Sequence, residues 1–166
     1  MEAKQLLIEQ FIACYNEPNW FVPLTTAIDG LTAEHAAWKS RASNNSIWQI
    51  TNHLIFWNRR YLNRFKSIPN PEVKGDNNTT FEGEMTSGSQ SDWANTKKQL
   101  NDVMDEWKAA LQEADNNTLG KIPKDLTEGV WYSYIALINI HNAYHTGQIV
   151  TIRKEQGSWD EAKGVN

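Results

Sequence analysis

The sequence predicts an all-α protein: a four-helix bundle with a long crossover loop between its second and third helices. Apolar residues recur at intervals of three and four in four long segments, and no segment shows the two-residue alternation of a strand. A polar stretch rich in Gly, Asn, Thr and Ser, residues 67–90, separates the second segment from the third. The chain has 166 residues, which fits one domain, so a single bundle is expected over residues 1–166.

The first helix is predicted from Glu2 to Tyr15, because the proline of the following "NEPNW" disfavours helical backbone. Asn19 is then predicted to cap a short helix that Gly30 ends. The segment "LTAEHAAWK" that follows is predicted to form a connecting turn or a short helix.

The second helix is predicted to begin after Ser46, whose hydroxyl suits an N-cap, and to end before Pro69 and Pro71. Its apolar residues are spaced by three and four: Ile47, Ile50, Leu54, Trp57 and Tyr61. A loop as long as residues 67–90 is typical of a crossover between distant helix ends, a lid or a partly disordered segment. Phe81, its one large aromatic residue, is predicted to anchor it to the bundle.

The third helix is predicted to open at Ser91 or Asp92. The apolar residues of its buried side are Trp93, Leu100, Val103, Met104, Trp107 and Leu111. The "GKIPKDL" stretch beyond it could hold a brief extended segment. The fourth helix is predicted from Val130 to Gln156, with Gly157 as its stop. Together these segments indicate a four-helix bundle with one long crossover.

The composition excludes several classes of function. The net charge of −4 and the pI of about 5.6 provide no basic field for nucleic acid. No apolar run reaches the roughly 18 residues of a membrane span, and no N-terminal signal peptide is recognisable. Cys14 is the sole cysteine, which rules out an internal disulfide and fits a reducing cytoplasm. Cys14 is interpreted as a small buried hydrophobe of the first helix rather than as a nucleophile or metal ligand.

Two of the four histidines, His141 and His145, lie four residues apart on the fourth helix. At 100° per residue they differ by about 40° around the helix axis and share the apolar stripe that faces the bundle. Two buried imidazoles each need a hydrogen-bond partner, or one divalent ion that takes a nitrogen from both. Asn142 occupies the position of the glutamate in an HExxH metalloprotease motif, so that catalytic base is missing.

A third histidine, His53, falls at the edge of the apolar stripe of the second helix. His53, His141 and His145 are therefore predicted as a three-nitrogen metal site, which leaves coordination positions open as catalytic sites do. The di-iron carboxylate alternative fails, because Ile50 and Ile138 stand where its Glu-x-x-His motifs need glutamate. His35, in a polar segment, is predicted to be an exposed surface histidine.

Four segments carry a resemblance to a known family: "AIDGLTAEHAAWK", "SIWQITNHLIFWNRRYL", "DNNTTF" and "HNAYHTGQIVTIRKEQG". They resemble the DinB-like superfamily, helical-bundle proteins related to damage-inducible DinB and to bacterial thiol-dependent transferases. The resemblance covers nearly the whole chain. It implies a bundle with a divalent metal on His53, His141 and His145, and a homodimer formed through bundle faces. The characterised members include transferases and isomerases that depend on low-molecular-weight thiols. Many others are described as metal-dependent hydrolases.

The expected function is that of a metal-dependent enzyme, a thiol S-transferase or a hydrolase acting on a small electrophilic substrate. Zinc or nickel suits imidazole ligands best, and a low-molecular-weight thiol is the expected second cofactor. The alternative is a non-catalytic, stress-related metal-binding bundle, whose site a fourth protein ligand would close. Trp57 and Arg60 are predicted to line the substrate cavity. Gln148 is predicted either to bind a water molecule at the site or to serve only in helix packing.

Overall fold

The protein is described by a computed structural model that covers residues 2–39, 44–73, 75–82 and 88–164. Within these ranges the secondary structure is entirely helical, with no strand. The α-helices in chain order are α1 (Ala3–Tyr15), α2 (Leu24–Ile28), α3 (Ala33–Ala37), α4 (Ile47–Phe65), α5 (Gln90–Glu113), α6 (Asn116–Leu119) and α7 (Trp131–Glu155). Two 3-10 helices, Asn77–Phe81 and Glu161–Lys163, complete the description. The predicted all-α fold is confirmed, and "GKIPKDL" forms no strand.

The four long helices, α1, α4, α5 and α7, form the bundle. Helix α4 packs between α5 and α7, and α1 packs against both α5 and α7 on the opposite side. Helices α4 and α5 run parallel, because Trp48 contacts Thr96 near their N-terminal ends and Arg59 pairs with Glu106 further along. Parallel neighbours need a connection that returns along the whole bundle. This requirement explains the predicted crossover between the second and third bundle helices.

Three tryptophans fill the bundle core, and each places its indole N–H on a specific oxygen. Trp48, Trp93 and Trp107 are all buried. Trp48 donates to the Thr96 hydroxyl at 2.9 Å, and Trp93 donates to the backbone carbonyl of Leu31 at 2.9 Å. Trp107 donates to the backbone carbonyl of Asn58 at the same distance, 2.9 Å. Because a buried indole N–H without a partner is costly, these bonds fix the orientation of each ring.

A buried amide pair sets how α4 and α7 face each other. Asn58 Nδ2 donates to Asn142 Oδ1 at 2.8 Å, and Asn142 Nδ2 donates back to Asn58 Oδ1 at 3.2 Å. Both side chains are almost fully buried. Sliding one helix along the other would leave these polar atoms without partners, so the pair fixes the register of the two helices. These are the helices that carry the predicted metal ligands.

Two predicted helix starts are wrong. The short helix near Asn19 begins only at Leu24 with Pro23 as its N-cap, since a proline keeps the preceding residue out of helical backbone. Asn19 accepts a hydrogen bond only from the adjacent Trp20 N–H. The third bundle helix begins at Gln90 rather than at Ser91 or Asp92. Its N-cap is Ser89, which forms a capping box with Asp92 three residues later.

The other predicted boundaries agree with the structure to within one residue: α1 begins at Ala3 rather than Glu2, and α7 is Trp131–Glu155 rather than 130–156. Ser46 caps α4 through a capping box with Gln49, and Gly157 follows α7 with φ of 73°. Cys14 is buried on α1 and donates its S–H to the Asn139 carbonyl at 3.3 Å. Burial raises the pKa of the Cys14 thiol to about 11, which agrees with a packing residue rather than a nucleophile. No helix in the described ranges has the length and apolarity to cross a membrane.

Candidate metal centre

Three histidines from two helices meet between α4 and α7. His53 is carried by α4, and His141 and His145 lie one turn apart on α7. One ring nitrogen from each lies within 4.8 Å of the other two. His53 and His145 are buried, at 3% and 6% exposure, and His141 is half-buried. His35 is exposed on α3, as predicted, and takes no part in the group.

The hydroxyl of Thr80 determines which ring nitrogen of His53 carries the proton. The Thr80 O–H donates to the backbone carbonyl of Asn77 at 2.6 Å, so its single hydrogen is already used. His53 Nδ1 lies 2.6 Å from the same hydroxyl oxygen and must therefore donate to it. This contact puts the imidazole proton on Nδ1 and leaves the lone pair of His53 Nε2 facing the other two histidines.

Gln148 orients His145 in the same way. Gln148 Oε1 lies 2.7 Å from His145 Nδ1 and, as a carbonyl oxygen, can only accept. In the same orientation Gln148 Nε2 donates to the Tyr144 hydroxyl at 3.1 Å. His145 therefore carries its proton on Nδ1 and presents an unprotonated Nε2. Gln148 thus hydrogen-bonds to a site histidine directly. The sequence predicted only a contact with a bound water molecule or a role in helix packing.

The spacing of the nitrogens fits a single small divalent ion. His53 Nε2 and His141 Nε2 lie 3.1 Å apart. Two imidazole nitrogens bound tetrahedrally to zinc at about 2.05 Å lie roughly 3.3 Å apart, so a shift of a few tenths of an ångström seats the ion. The two tautomers set by Thr80 and Gln148 point free lone pairs at this position. The donor set therefore fits zinc or another imidazole-preferring metal.

The three histidines of the site, His53, His141 and His145, are neutral near pH 7. Burial, followed by the charges of His145 and His141, lowers the pKa of His53 to about 3. Burial and His145 lower the pKa of His141 to about 4. Burial also lowers the pKa of His145, against an opposing hydrogen bond with Gln148. Neutral imidazoles are the form that binds a metal, so no proton has to be displaced near pH 7.

The crossover contributes directly to this group through its 3-10 helix, Asn77–Phe81. Phe81 stacks on the His53 ring with centroids 3.9 Å apart and planes inclined by 11°. The predicted anchoring role of Phe81 is thus confirmed, and its target is a site histidine. Thr80 was not predicted as a functional residue, although it belongs to the "DNNTTF" segment. Residues 83–87, also within the predicted loop, lie outside the described part of the chain.

A cavity of about 530 Å³ opens beside the histidines, between α4 and α7. Trp57 lines it, as predicted. Arg60 does not line it: its guanidinium donates to the Pro71 carbonyl at 3.1 Å instead. Among the described residues, no aspartate or glutamate lines the cavity, and no fourth ligand joins the three histidines. The free coordination side of the group therefore faces an uncharged chamber.

The hydroxyl of Thr80 can be tested without touching a ligand. Replacing Thr80 with valine keeps the side-chain shape but removes the acceptor that holds His53 Nδ1–H. Loss of such an outer partner typically weakens metal binding about 10–100-fold, so a loss of that size is expected for zinc. Competition with a chromogenic chelator measures it.

The matched control is Thr79→Val, in the same 3-10 helix, because the one bond of the Thr79 hydroxyl to another described residue is to the Asp76 carbonyl. Thr79→Val should bind zinc like the unchanged protein. Equal zinc affinity in Thr80→Val and Thr79→Val would show that the Thr80 contact does not orient a ligand.

The comparisons with known proteins agree with this architecture. A family model described as the DinB superfamily matches residues 23–149. The fold is similar to the solved structure of YfiT from Bacillus subtilis, described as a probable metal-dependent hydrolase with an unusual four-helix bundle topology. The TM-score is 0.64 at 17% sequence identity, over 95% of this chain and 87% of YfiT. The comparison with curated proteins gives no match.

Proposed function

This chain belongs to the DinB superfamily, and on that premise we propose that it is a divalent-metal-dependent S-transferase. Its reaction joins a low-molecular-weight thiol to a small electrophilic substrate. The observation that carries the proposal is the geometry of the three histidines. One ring nitrogen of each histidine lies at one side of an uncharged cavity, and those of His53 and His145 are unprotonated. No fourth ligand joins them among the described residues. An open position of this kind is typical of catalytic metal sites.

A divalent ion held by His53, His141 and His145 would supply a Lewis acid that favours the deprotonated form of a thiol. The residues of the chain set the geometry around it. Thr80 and Gln148 hold two of the imidazoles in one tautomer, and Phe81 covers one face of His53. The cavity beside them would hold the electrophile next to the metal position.

The absence of a carboxylate from the described cavity walls favours a thiol over water as the nucleophile. Hydrolysis needs a general base and then an acid to move protons between water and the leaving group. A thiol has one proton to lose. In the transfer the sulfur–carbon bond forms, the bond from carbon to the leaving group breaks, and the thiol proton leaves with that group. Metal-dependent hydrolysis is the second candidate, supported by the description of YfiT as a probable hydrolase.

The decisive experiment is a turnover assay with zinc- and nickel-loaded protein. Bacillithiol, mycothiol and glutathione are each offered with a model electrophile such as monochlorobimane, and ester hydrolysis is followed without thiol. We expect conjugation that needs both the metal and one of the thiols, unchanged in His35→Ala. Ester hydrolysis without thiol would replace the transferase proposal with the hydrolase. Absence of any turnover would favour the non-catalytic metal-binding alternative.

We also propose that the protein is a homodimer whose interface is the outer face of α7. Residues 133, 137, 140, 144, 147 and 151 follow each other at intervals of three and four, all are exposed, and none is charged. Leu137, Ile140 and Tyr144 are 59–65% exposed. Beside them lies an apolar groove of about 460 Å³ between α1 and α7, next to Trp20, which is 93% exposed. A two-fold interface places the same surface of both copies in contact, so the exposed apolar side chains of one copy would meet the groove of the other.

Sedimentation equilibrium tests the dimer. The expected mass is twice the chain mass of 19.0 kDa, and Ile140→Asp should shift the protein to monomer by burying an unpaired carboxylate in the interface. The control is Ile122→Asp, because Ile122 is similarly exposed, at 50%, but lies in the connection before α7. A monomer at every concentration, or a dimer that Ile140→Asp leaves intact, would reject this face.

A further inference from the structure

The cavity beside the histidines has the shape of a slot between two helices. On α4, His53, Trp57 and Tyr61 line it at intervals of four residues. On α7, the lining runs from the histidine pair back to Tyr134, whose ring packs against Tyr61 with centroids 5.8 Å apart. Eight helical residues rise about 12 Å, so the slot extends roughly that distance from the metal position to the tyrosine pair.

Aromatic rings form most of the slot walls. Trp57 lies between the two ends, with its centroid 6.4 Å from the His53 ring and 6.2 Å from the Tyr61 ring. Phe81 and Tyr144 add rings at the histidine end. Rings placed about 4.5–7 Å apart attract each other in offset or edge-to-face geometry, so walls of this kind favour a ligand that is itself aromatic.

The slot carries no net charge of its own. Among the described lining residues there is no aspartate, glutamate, lysine or arginine. Two polar groups are already occupied: Asn58 is paired with Asn142, and Asn77 Oδ1 accepts from the Trp57 indole at 3.2 Å. The Tyr61 hydroxyl lies at the end of the slot away from the histidines, where it can hydrogen-bond to one small polar substituent of the ligand. At the tyrosine end, away from the metal position, a charged group would lose its hydration without compensation, so the part of the ligand that lies there must be neutral.

We infer that the site takes a neutral, flat aromatic substrate, with its reactive group at the three histidines and its ring system against the wall formed by Trp57, Tyr61 and Tyr134. The volume of about 530 Å³ is within the range of sites for small organic ligands. The position of the reactive group rests on the proposed function. The preference for an aromatic body rests on the slot alone.

Binding of two matched probes tests the inference. Calorimetric titrations compare 2-naphthalenemethanol with its saturated counterpart, decahydro-2-naphthalenemethanol, on zinc-loaded protein. The two share a carbon skeleton and a hydroxyl, but only the first is flat and aromatic. The aromatic probe should bind about 5–10-fold more tightly, the fold-change that one or two ring contacts provide. Equal affinity for the two probes would overturn the inference.

The variant pair Trp57→Leu and Trp38→Leu locates the preference. Trp57→Leu removes a wall of the slot and should reduce the aromatic preference to about twofold or less. Trp38→Leu removes an exposed tryptophan that lines neither the slot nor the groove of the proposed dimer, and it should leave the preference unchanged. Retained preference in Trp57→Leu would show that the probe binds elsewhere.

The same titrations separate this inference from the proposed function. Zinc affinity is measured independently on each variant, and Trp57→Leu keeps all three histidines. Intact zinc binding without aromatic preference would overturn the inference alone. Aromatic preference in a protein without metal-dependent turnover would overturn the transferase proposal and leave the slot assignment standing.

Discussion

His145→Ala is expected to lower zinc affinity by more than the roughly 10–100-fold that loss of an outer partner costs, because it deletes a metal ligand. It also frees Gln148 from its contact with the ring. The fold should persist, since alanine is the strongest helix former and the position lies in the middle of α7. Competition with a chelator of known affinity measures the loss, and circular dichroism checks the helix content.

His35→Ala is the matched control for that substitution. It removes a histidine on α3 that is exposed and remote from the three-histidine group. Its zinc affinity should equal that of the unchanged protein. If His145→Ala retained the unchanged affinity as well, the assignment of His145 as a ligand would be wrong.

Acid is expected to destabilise the metal-free protein before the carboxyl groups titrate. The pKa values of His53 and His141, about 3 and about 4, lie below the ordinary value of 6.5. The unfolded chain therefore binds more protons than the native state as the pH falls below 6.5, and the free energy of unfolding decreases. Between pH 6.5 and 5 each imidazole accounts for a loss of about 1.5 kcal/mol, or about 3 kcal/mol for the two.

Urea unfolding of metal-free protein at several pH values measures this effect. The window above pH 5 favours the histidines, because the pKa values of Asp29 and Glu106 are lowered from ordinary values of 3.8 and 4.5, which already lie below it. A stability that stays flat from pH 6.5 to 5 would mean that the site histidines protonate freely in the native state.

The helical architecture and the three-histidine group could both be predicted from local patterns. The spacing of apolar residues located the four long helices, and i, i+4 spacing placed His141 and His145 on one face. The position of His53 could be predicted for a related reason: a histidine near the apolar stripe of a bundle helix faces the shared interior. These inferences need only the geometry of a helix.

Residues that depend on tertiary contacts were missed. Tyr61 continues the apolar stripe of α4, yet it lines the cavity beside Trp57, whose position there was predicted. Trp48, beside the stripe, is instead fully buried against α5. Thr80 reaches His53 only because the crossover folds back over α4, and no sequence period encodes that return. The partners of the histidines are a hydroxyl and an amide, whereas a carboxylate partner would have been easier to recognise.

Helix boundaries failed where several residues compete to start a helix. In "SQSD" three residues can cap, and the choice of Ser89 follows from the reciprocal bond with Asp92 that only this register allows. Asn19 has a suitable side chain, but Pro23 four residues later determines where helical backbone can begin. The intrinsic preference of a residue for the N-cap position does not by itself identify which of these candidates begins the helix.

Anomalous diffraction from crystals of the zinc-loaded protein tests the central claim most directly. The expected result is one ion per chain, about 2.0–2.1 Å from the Nε2 atoms of His53, His141 and His145, with its remaining coordination side facing the cavity. An ion bound to His141 and His145 alone, with the His53 ring turned away, would contradict it. So would an ion closed off by a fourth protein ligand.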